Sequence, residues 1–145
     1  MRLIASSIIA ITLLAVPAAA ETAGVIYKSP TCACCEKWVD YMKRAGYSLA
    51  PTNMSSGELM RQKLKLGLTG TQASCHTAVI NGYVVEGHVP AEDVSRLLAE
   101  KPDAIGLAVP DMPLGSPGME AGDTTEPYDV LLVKKDGSTE VFAKH

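Results

Sequence analysis

Two apolar runs, Thr77-Ala78-Val79-Ile80 and Tyr83-Val84-Val85, are separated by Asn81-Gly82. Asn-Gly between extended apolar segments marks a two-residue hairpin of type I′, because both residues accept positive φ and the turn twists as the flanking strands do. Extended and helical signals alternate before this hairpin. Residues 24–28 (Gly-Val-Ile-Tyr-Lys) read as a short buried strand, broken by Ser29-Pro30-Thr31. From Glu36 onward Trp38, Val39, Met42 and Ala45 recur at helical spacing, and Gly46 stops the helix. Residues 47–51 suit a second strand, parallel to the first. Ser55-Ser56-Gly57-Glu58 matches a capping box that opens a second helix through Leu59, Met60 and Leu64 to Gly67.

Beyond the hairpin, Pro90 opens a third helix carrying Val94, Leu97 and Leu98, ended by Lys101-Pro102. Residues 103–122 are rich in Pro, Gly and Met and read as an ordered loop. Residues 128–133 and 138–142 flank Asp136-Gly137 as a second hairpin. The order predicts an α/β fold, a thioredoxin-like domain (β-α-β-α-β-hairpin-α) with an added C-terminal β-hairpin. Such an analogy speaks for fold and not, by itself, for function.

The first twenty residues have a different character. Met1-Arg2 is a short basic start, an uncharged stretch rich in Leu, Ile and Ala follows, and Pro17-Ala18-Ala19-Ala20 ends it with small residues before Glu21. These three parts predict a secretory signal peptide over 1–20. A span would need about 18 apolar residues or more, and the run is shorter. No cysteine follows the cleavage site, so no membrane anchor is expected after cleavage. Residues 21–145 then form one domain of 125 residues, long enough to bury a core. The formal charge of −3 becomes −4 without Arg2, and no basic stripe is present. That balance excludes nucleic acid and anionic lipid as partners. Aromatic residues, at 5%, are too few for a sugar-binding or base-stacking surface.

Four cysteines in an exported chain usually mean two structural disulfides. Here Cys32, Cys34 and Cys35 fall within four residues, and a bridge across so short a loop removes little chain entropy. A domain of this length does not need stapling. The cluster therefore points to chemistry. Cys32 and Cys35 form a C-x-x-C pair one helical turn apart, at a helix start where backbone amides stabilise thiolate. Cys34 adds a sulfur that a dithiol oxidoreductase does not have. Cys75, in Ser74-Cys75-His76-Thr77, lies on the loop entering the first hairpin strand, which a thioredoxin-like fold sets against the cysteine turn. A proline commonly holds that place. Adjacent residues of an extended chain point to opposite faces, so Cys75 is expected toward the cluster and His76 is secondary.

Thiolate-rich sites select copper(I), zinc or iron–sulfur. Zinc sites usually carry two well-separated ligand pairs, and only one C-x-x-C occurs here. Crowded sulfurs suit thiolates bridging copper(I). Met112 and Met119 read as core filler or as thioether caps of a copper site. His88, before Pro90, reads as a partly exposed histidine or as a ligand. The alternatives are a Cys32–Cys35 or Cys32–Cys75 disulfide with the other thiols inert, a thiol–disulfide oxidoreductase with Cys32 as nucleophile and Cys35 as resolver, and a zinc-stabilised non-catalytic domain.

Four stretches together resemble the small copper-resistance proteins of the CopG type, a family first known only as a domain of unknown function. They are Val25-Ile26-Tyr27-Lys28-Ser29-Pro30-Thr31-Cys32-Ala33-Cys34-Cys35, Ser74-Cys75-His76-Thr77-Ala78, Gly82-Tyr83-Val84-Val85-Glu86-Gly87-His88-Val89-Pro90 and Gly115-Ser116-Pro117-Gly118-Met119-Glu120. The resemblance spans nearly all of residues 21–145. It implies a thioredoxin-like fold, a periplasmic location and copper handling, with copper ions and other periplasmic copper-handling proteins as partners. The family's cysteines fall on Cys32, Cys34, Cys35 and Cys75. Ala33 stands where the commonest form has Gly, a change that leaves the thiols untouched.

Overall fold

Asn81 and Gly82 take φ of 47° and 85°, and β3 (Thr77–Ile80) and β4 (Tyr83–Glu86) pair antiparallel with Ile80 opposite Tyr83. This is the turn the Asn-Gly pair predicts. The computed structural model describes residues 21–145; the expected signal peptide lies outside the described residues. β1 (Thr22–Lys28) pairs antiparallel with β3, and β2 (Tyr47–Asn53) pairs parallel with β1, as expected for the second strand. Among the described residues the sheet has seven strands in the order β2-β1-β3-β4-β5-β6-β7, with β5 at Gly106–Ala108, β6 at Asp129–Val133 and β7 at Thr139–Lys144, and three helices complete a mixed α/β fold.

The tract 103–122 is not loop throughout. Gly106–Ala108 forms β5, fully buried, parallel to β4 and antiparallel to β6 (Asp129–Val133). Three residues are too few for a periodic signal, and only the neighbouring strands make them a strand. Gly106 lies so close to β4 that a Cβ there would strike the Val84 backbone. Through β5 the C-terminal hairpin of β6 and β7 (Thr139–Lys144) joins one continuous sheet.

α1 (Ala33–Arg44) turns Cys35, Trp38 and Met42 inward, one helical face at i, i+3 and i+7. Trp38 and Met42 pack with Ile26, Ile80, Val85, Val94, Leu97 and Leu107 in the main core. Trp38 Nε1 donates to the Val89 carbonyl at 3.0 Å, so its buried polar edge is satisfied while its ring fills the core. Truncating so buried an aromatic costs about 3–5 kcal/mol. α2 (Ser56–Lys65) begins with the expected capping box between Ser55 and Glu58. α3 (Ala91–Glu100) follows Pro90 and ends at Lys101 in the left-handed region. Among the described residues no helix is long and apolar enough to cross a membrane.

Strand register decides what meets at the functional end. Tyr27 lies opposite Thr77, Thr77 opposite Glu86, and Glu86 beside Ala108. The end of β1, the start of β3 and the ends of β4 and β5 therefore share one edge. The residues just beyond them include the cysteine turn, Cys75-His76 and His88.

Candidate metal centre

Cys32 is the N-cap of α1, with extended φ and ψ and no side-chain cap bond, so its sulfur is left to meet Cys35 in the first turn. Cys34 and Cys35 follow in the first turn. Cys32 Sγ lies 3.4 Å from Cys34 Sγ, and Cys34 Sγ lies 3.8 Å from Cys75 Sγ. Cys35 Sγ is 3.9 Å from the Cys75 carbonyl. All four sulfurs fall within 4.8 Å of one another. Cys35 is buried and the other three are half-buried, which leaves the group one open side. Cys32 and Cys35 are joined as a disulfide, and Cys34 and Cys75 are free thiols. Four thiolates become available to one site only when two electrons open that bond.

Cys75 is held from both sides by one carboxylate. Glu86 accepts from the Ser74 amide at 2.6 Å, from Thr77 Oγ1 at 2.5 Å and from Lys63 Nζ at 2.5 Å. Lys63 Nζ also donates to Thr77 Oγ1 at 2.8 Å. Glu86 and Lys63 are both buried. Burial pushes the Glu86 carboxyl up, and Lys63 with the hydrogen bonds pulls against it. Sequence reasoning missed this pair: Lys63 reads as a polar helix position, and 23 residues separate it from Glu86. The one available signal was a charged residue closing the apolar run Val84-Val85. Gly87 then takes φ 72°, and any Cβ there would meet Ser74 and the Val109 carbonyl at 2.6 Å, so only glycine lets the two loops touch.

The two histidines lie deeper than the sequence suggests. His88 is completely buried, not partly exposed, because the loop after β5 covers it. Its Nδ1 lies 2.8 Å from the Pro117 carbonyl and its Nε2 lies 3.0 Å from Cys75 Sγ. His76 is also fully buried, between the Trp38 ring at 4.5 Å and the His88 ring at 5.0 Å. Its Nδ1 is 3.3 Å from Cys75 Sγ, and its Nε2 has no hydrogen-bond partner among the described residues. Burial lowers both imidazoles, His76 to well below its ordinary range, so they are neutral. Burial, then the charge and hydrogen bond of Cys34, push the Cys75 thiol up to about 12.

Met119 is half-buried in the loop that covers the start of α1. Its neighbour Gly118, φ 87°, sits so close that a Cβ would be 2.9 Å from the Cys34 carbonyl and the Trp38 amide. Met112 is 46% exposed and lines a separate hollow with Pro110, Tyr128 and His145. The structure thus brings Cys32, Cys34, Cys35, Cys75, His76 and His88 together, sets Met119's loop over them, and leaves Met112 apart. Sulfur and neutral imidazole, with an orphaned nitrogen beside them, form a donor set suited to a soft metal ion.

Two solved structures described as copper resistance protein CopG, forms 1 and 2, each match with TM-score 0.80 and 37% identity. Each match covers 86% of this chain and 98% of the other. The chain belongs to the CopG family. A family model described as "Protein of unknown function, DUF411" also matches residues 72–119, the part that holds Cys75, both buried histidines and the covering loop. No curated protein matches at a significant level. Over nearly its whole length, then, a CopG-type chain places a cysteine group suitable for metal at one end of a mixed sheet.

Proposed function

We propose that this chain is a periplasmic copper-binding protein of copper resistance, exported through cleavage of residues 1–20. It holds copper(I) through the thiolates of Cys32, Cys34, Cys35 and Cys75, on a scaffold whose β1-α1-β2 unit and central hairpin are thioredoxin-like. The observation that carries the reading is the convergence of four sulfurs within 4.8 Å from two distant segments. A dithiol enzyme needs two sulfurs, and a structural disulfide needs no neighbours. Four crowded thiolates offer soft donors and no oxygen, which favours copper(I) over harder ions. Copper is cargo in this reading, exchanged with other periplasmic copper-handling proteins.

The site's own residues divide the work. Glu86 and Lys63 fix the direction of Cys75, the amides at the start of α1 stabilise thiolate on Cys32, and the loop through Gly118 packs against the backbone of Cys34 and Trp38. Loading requires loss of the Cys34 and Cys75 protons and two-electron reduction of the Cys32–Cys35 bond by an external thiol reductant, which leaves two further thiolates and is itself oxidised to a disulfide.

The disulfide favours one second reading, a thiol–disulfide oxidoreductase acting through Cys32 and Cys35. Metal analysis of protein purified with and without added copper, beside an insulin-reduction assay, separates the two. Bound copper with negligible insulin reduction is the expected result. Insulin reduction by copper-free protein that retains no added copper favours the enzyme, and stoichiometric zinc in place of copper favours a zinc-stabilised domain.

A further inference from the structure

Lysine is almost never fully buried unless it is paired. Lys28, the last residue of β1, is only 2% exposed. Its Nζ donates to the Ser29 carbonyl at 3.4 Å and to Asn53 Oδ1 at 3.3 Å, and it pairs with Glu36 Oε1 at 2.5 Å. The parallel register sets Lys28 beside Asn53 of β2. Two of these partners also hold the backbone of Cys32. The Cys32 amide donates to the same Ser29 carbonyl at 3.3 Å, and the Cys32 carbonyl accepts from the Glu36 amide at 3.2 Å. The ammonium is therefore tied to the turn on both sides of Cys32.

The two members of this ion pair stand in different surroundings. The Glu36 side chain is 58% exposed and that of Lys28 only 3%. Water screens the exposed carboxylate more than the buried ammonium, so the field left at the cysteine turn is positive. It adds to the positive end of α1, which begins there. The field also reaches the far side of the cysteine group. Burial, then His88 and Lys63, hold the His76 imidazole down, and Lys28 acts in the same direction.

We infer that Lys28 is a positioning residue of the cysteine turn, whose buried ammonium favours negative charge on Cys32 and so makes the Cys32–Cys35 disulfide easier to open. The inference rests on the copper reading above and deepens it, because four thiolates reach copper only after that bond opens. The reductant is a small-molecule thiol. Its thiolate attacks the half-buried Cys32 sulfur, the bond to buried Cys35 breaks, and Cys35 leaves as a thiolate. A second thiol then attacks the outer sulfur of the mixed disulfide. Cys32 leaves as a thiolate, and the reductant ends as its own disulfide, having given up two electrons. A couple whose reduced form is stabilised is the more readily reduced. Lys28 supplies that stabilisation at the second leaving group.

The test equilibrates native, copper-free protein in anaerobic glutathione buffers of graded composition. Acid quenching, alkylation and mass spectrometry then give the reduced fraction of the Cys32–Cys35 pair. Lys28→Met should be harder to reduce by about threefold or more. Lys28→Arg keeps the charge and should lie nearer the parent. Glu36→Gln removes the opposing charge and should be easier to reduce than the parent. A clamp without an electrostatic role would make the Met and Gln variants shift in the same direction, since both break the pair. That result overturns the inference, as does an unchanged equilibrium in Lys28→Met or in Glu36→Gln, or an Arg variant as hard to reduce as the Met one. Glu36 is exposed, so its variant decides the matter even where Lys28→Met does not fold. Copper(I) titration of the reduced parent runs beside these measurements. A parent that binds no copper(I) removes the function proposed above, whereas copper(I) binding without the redox shifts removes only this inference.

Discussion

Cys34 Sγ lies 3.8 Å from Cys75 Sγ across 41 positions of sequence, and both are free thiols beside the Cys32–Cys35 disulfide. This pairing separates the metal reading from dithiol chemistry, because a Cys32–Cys35 couple has no use for either sulfur. Replacing Cys75 with Ser should weaken copper(I) binding at least tenfold while the Cys32–Cys35 disulfide still forms. Growth of the host on copper, at matched protein level, checks the consequence. Undiminished tolerance would favour the two-cysteine enzyme.

Glu86 links both sides of Cys75 to α2 through Lys63. Removing one member of a buried ion pair strands the other, at about 3–5 kcal/mol. Glu86→Leu should therefore shift urea unfolding by that order. The double variant Lys63→Met/Glu86→Leu should recover much of the loss, since no charge is then left unpaired. Additive losses in the double variant would refute the coupling.

Gly118 is pressed against the backbone of α1 at positive φ. Gly118→Ala combines a clash with a strained backbone, and its cost should exceed about 1 kcal/mol. The displaced loop would carry Pro117 away from His88, so hydrogen exchange of the His88 ring proton should accelerate. Gly122 also has positive φ but nothing within 4 Å of an added Cβ, so Gly122→Ala should leave that exchange unchanged.

How much of this could be read from the chain depends on how local each cause is. The Asn81-Gly82 turn, the Ser55/Glu58 cap and the cysteine turn are each written in a few neighbouring residues, and each is where the sequence places it. β5 could not be read, because Gly106-Leu107-Ala108 becomes a strand only between β4 and β6. Burial of His88 depends on a loop 29 residues downstream, whereas its place at a turn just before Pro90 suggested a more exposed ring. The Lys63–Glu86 pair likewise joins two elements that only the fold brings together. Proximity of the four sulfurs was readable only through an assumed fold, since no local signal places Cys75 near Cys34.

The cap on α2 has a pH signature. The Ser55 hydroxyl and amide hold the Glu58 carboxyl below its ordinary value of 4.5. A lowered folded-state value gives stability that is present above the ordinary value and is lost as pH falls through the folded one. Glu58→Ala should therefore lower the thermal midpoint at neutral pH. Its difference from the parent should shrink as acid titrates the parent's carboxylate. Ser55→Ala should cost about 1 kcal/mol at neutral pH. A Glu58→Ala difference that stays constant down to acid pH would remove the ionised cap from the account.

The central claim is that the thiolates of Cys32, Cys34, Cys35 and Cys75 form a copper(I) site. Fully reduced protein loaded with zinc and mixed anaerobically with equimolar copper(I) tests it most directly, with both metals measured after gel filtration. Copper(I) should displace zinc nearly completely, because crowded thiolates without oxygen donors prefer the softer ion. Zinc retained against equimolar copper(I) would contradict the account and make the domain a zinc-stabilised one.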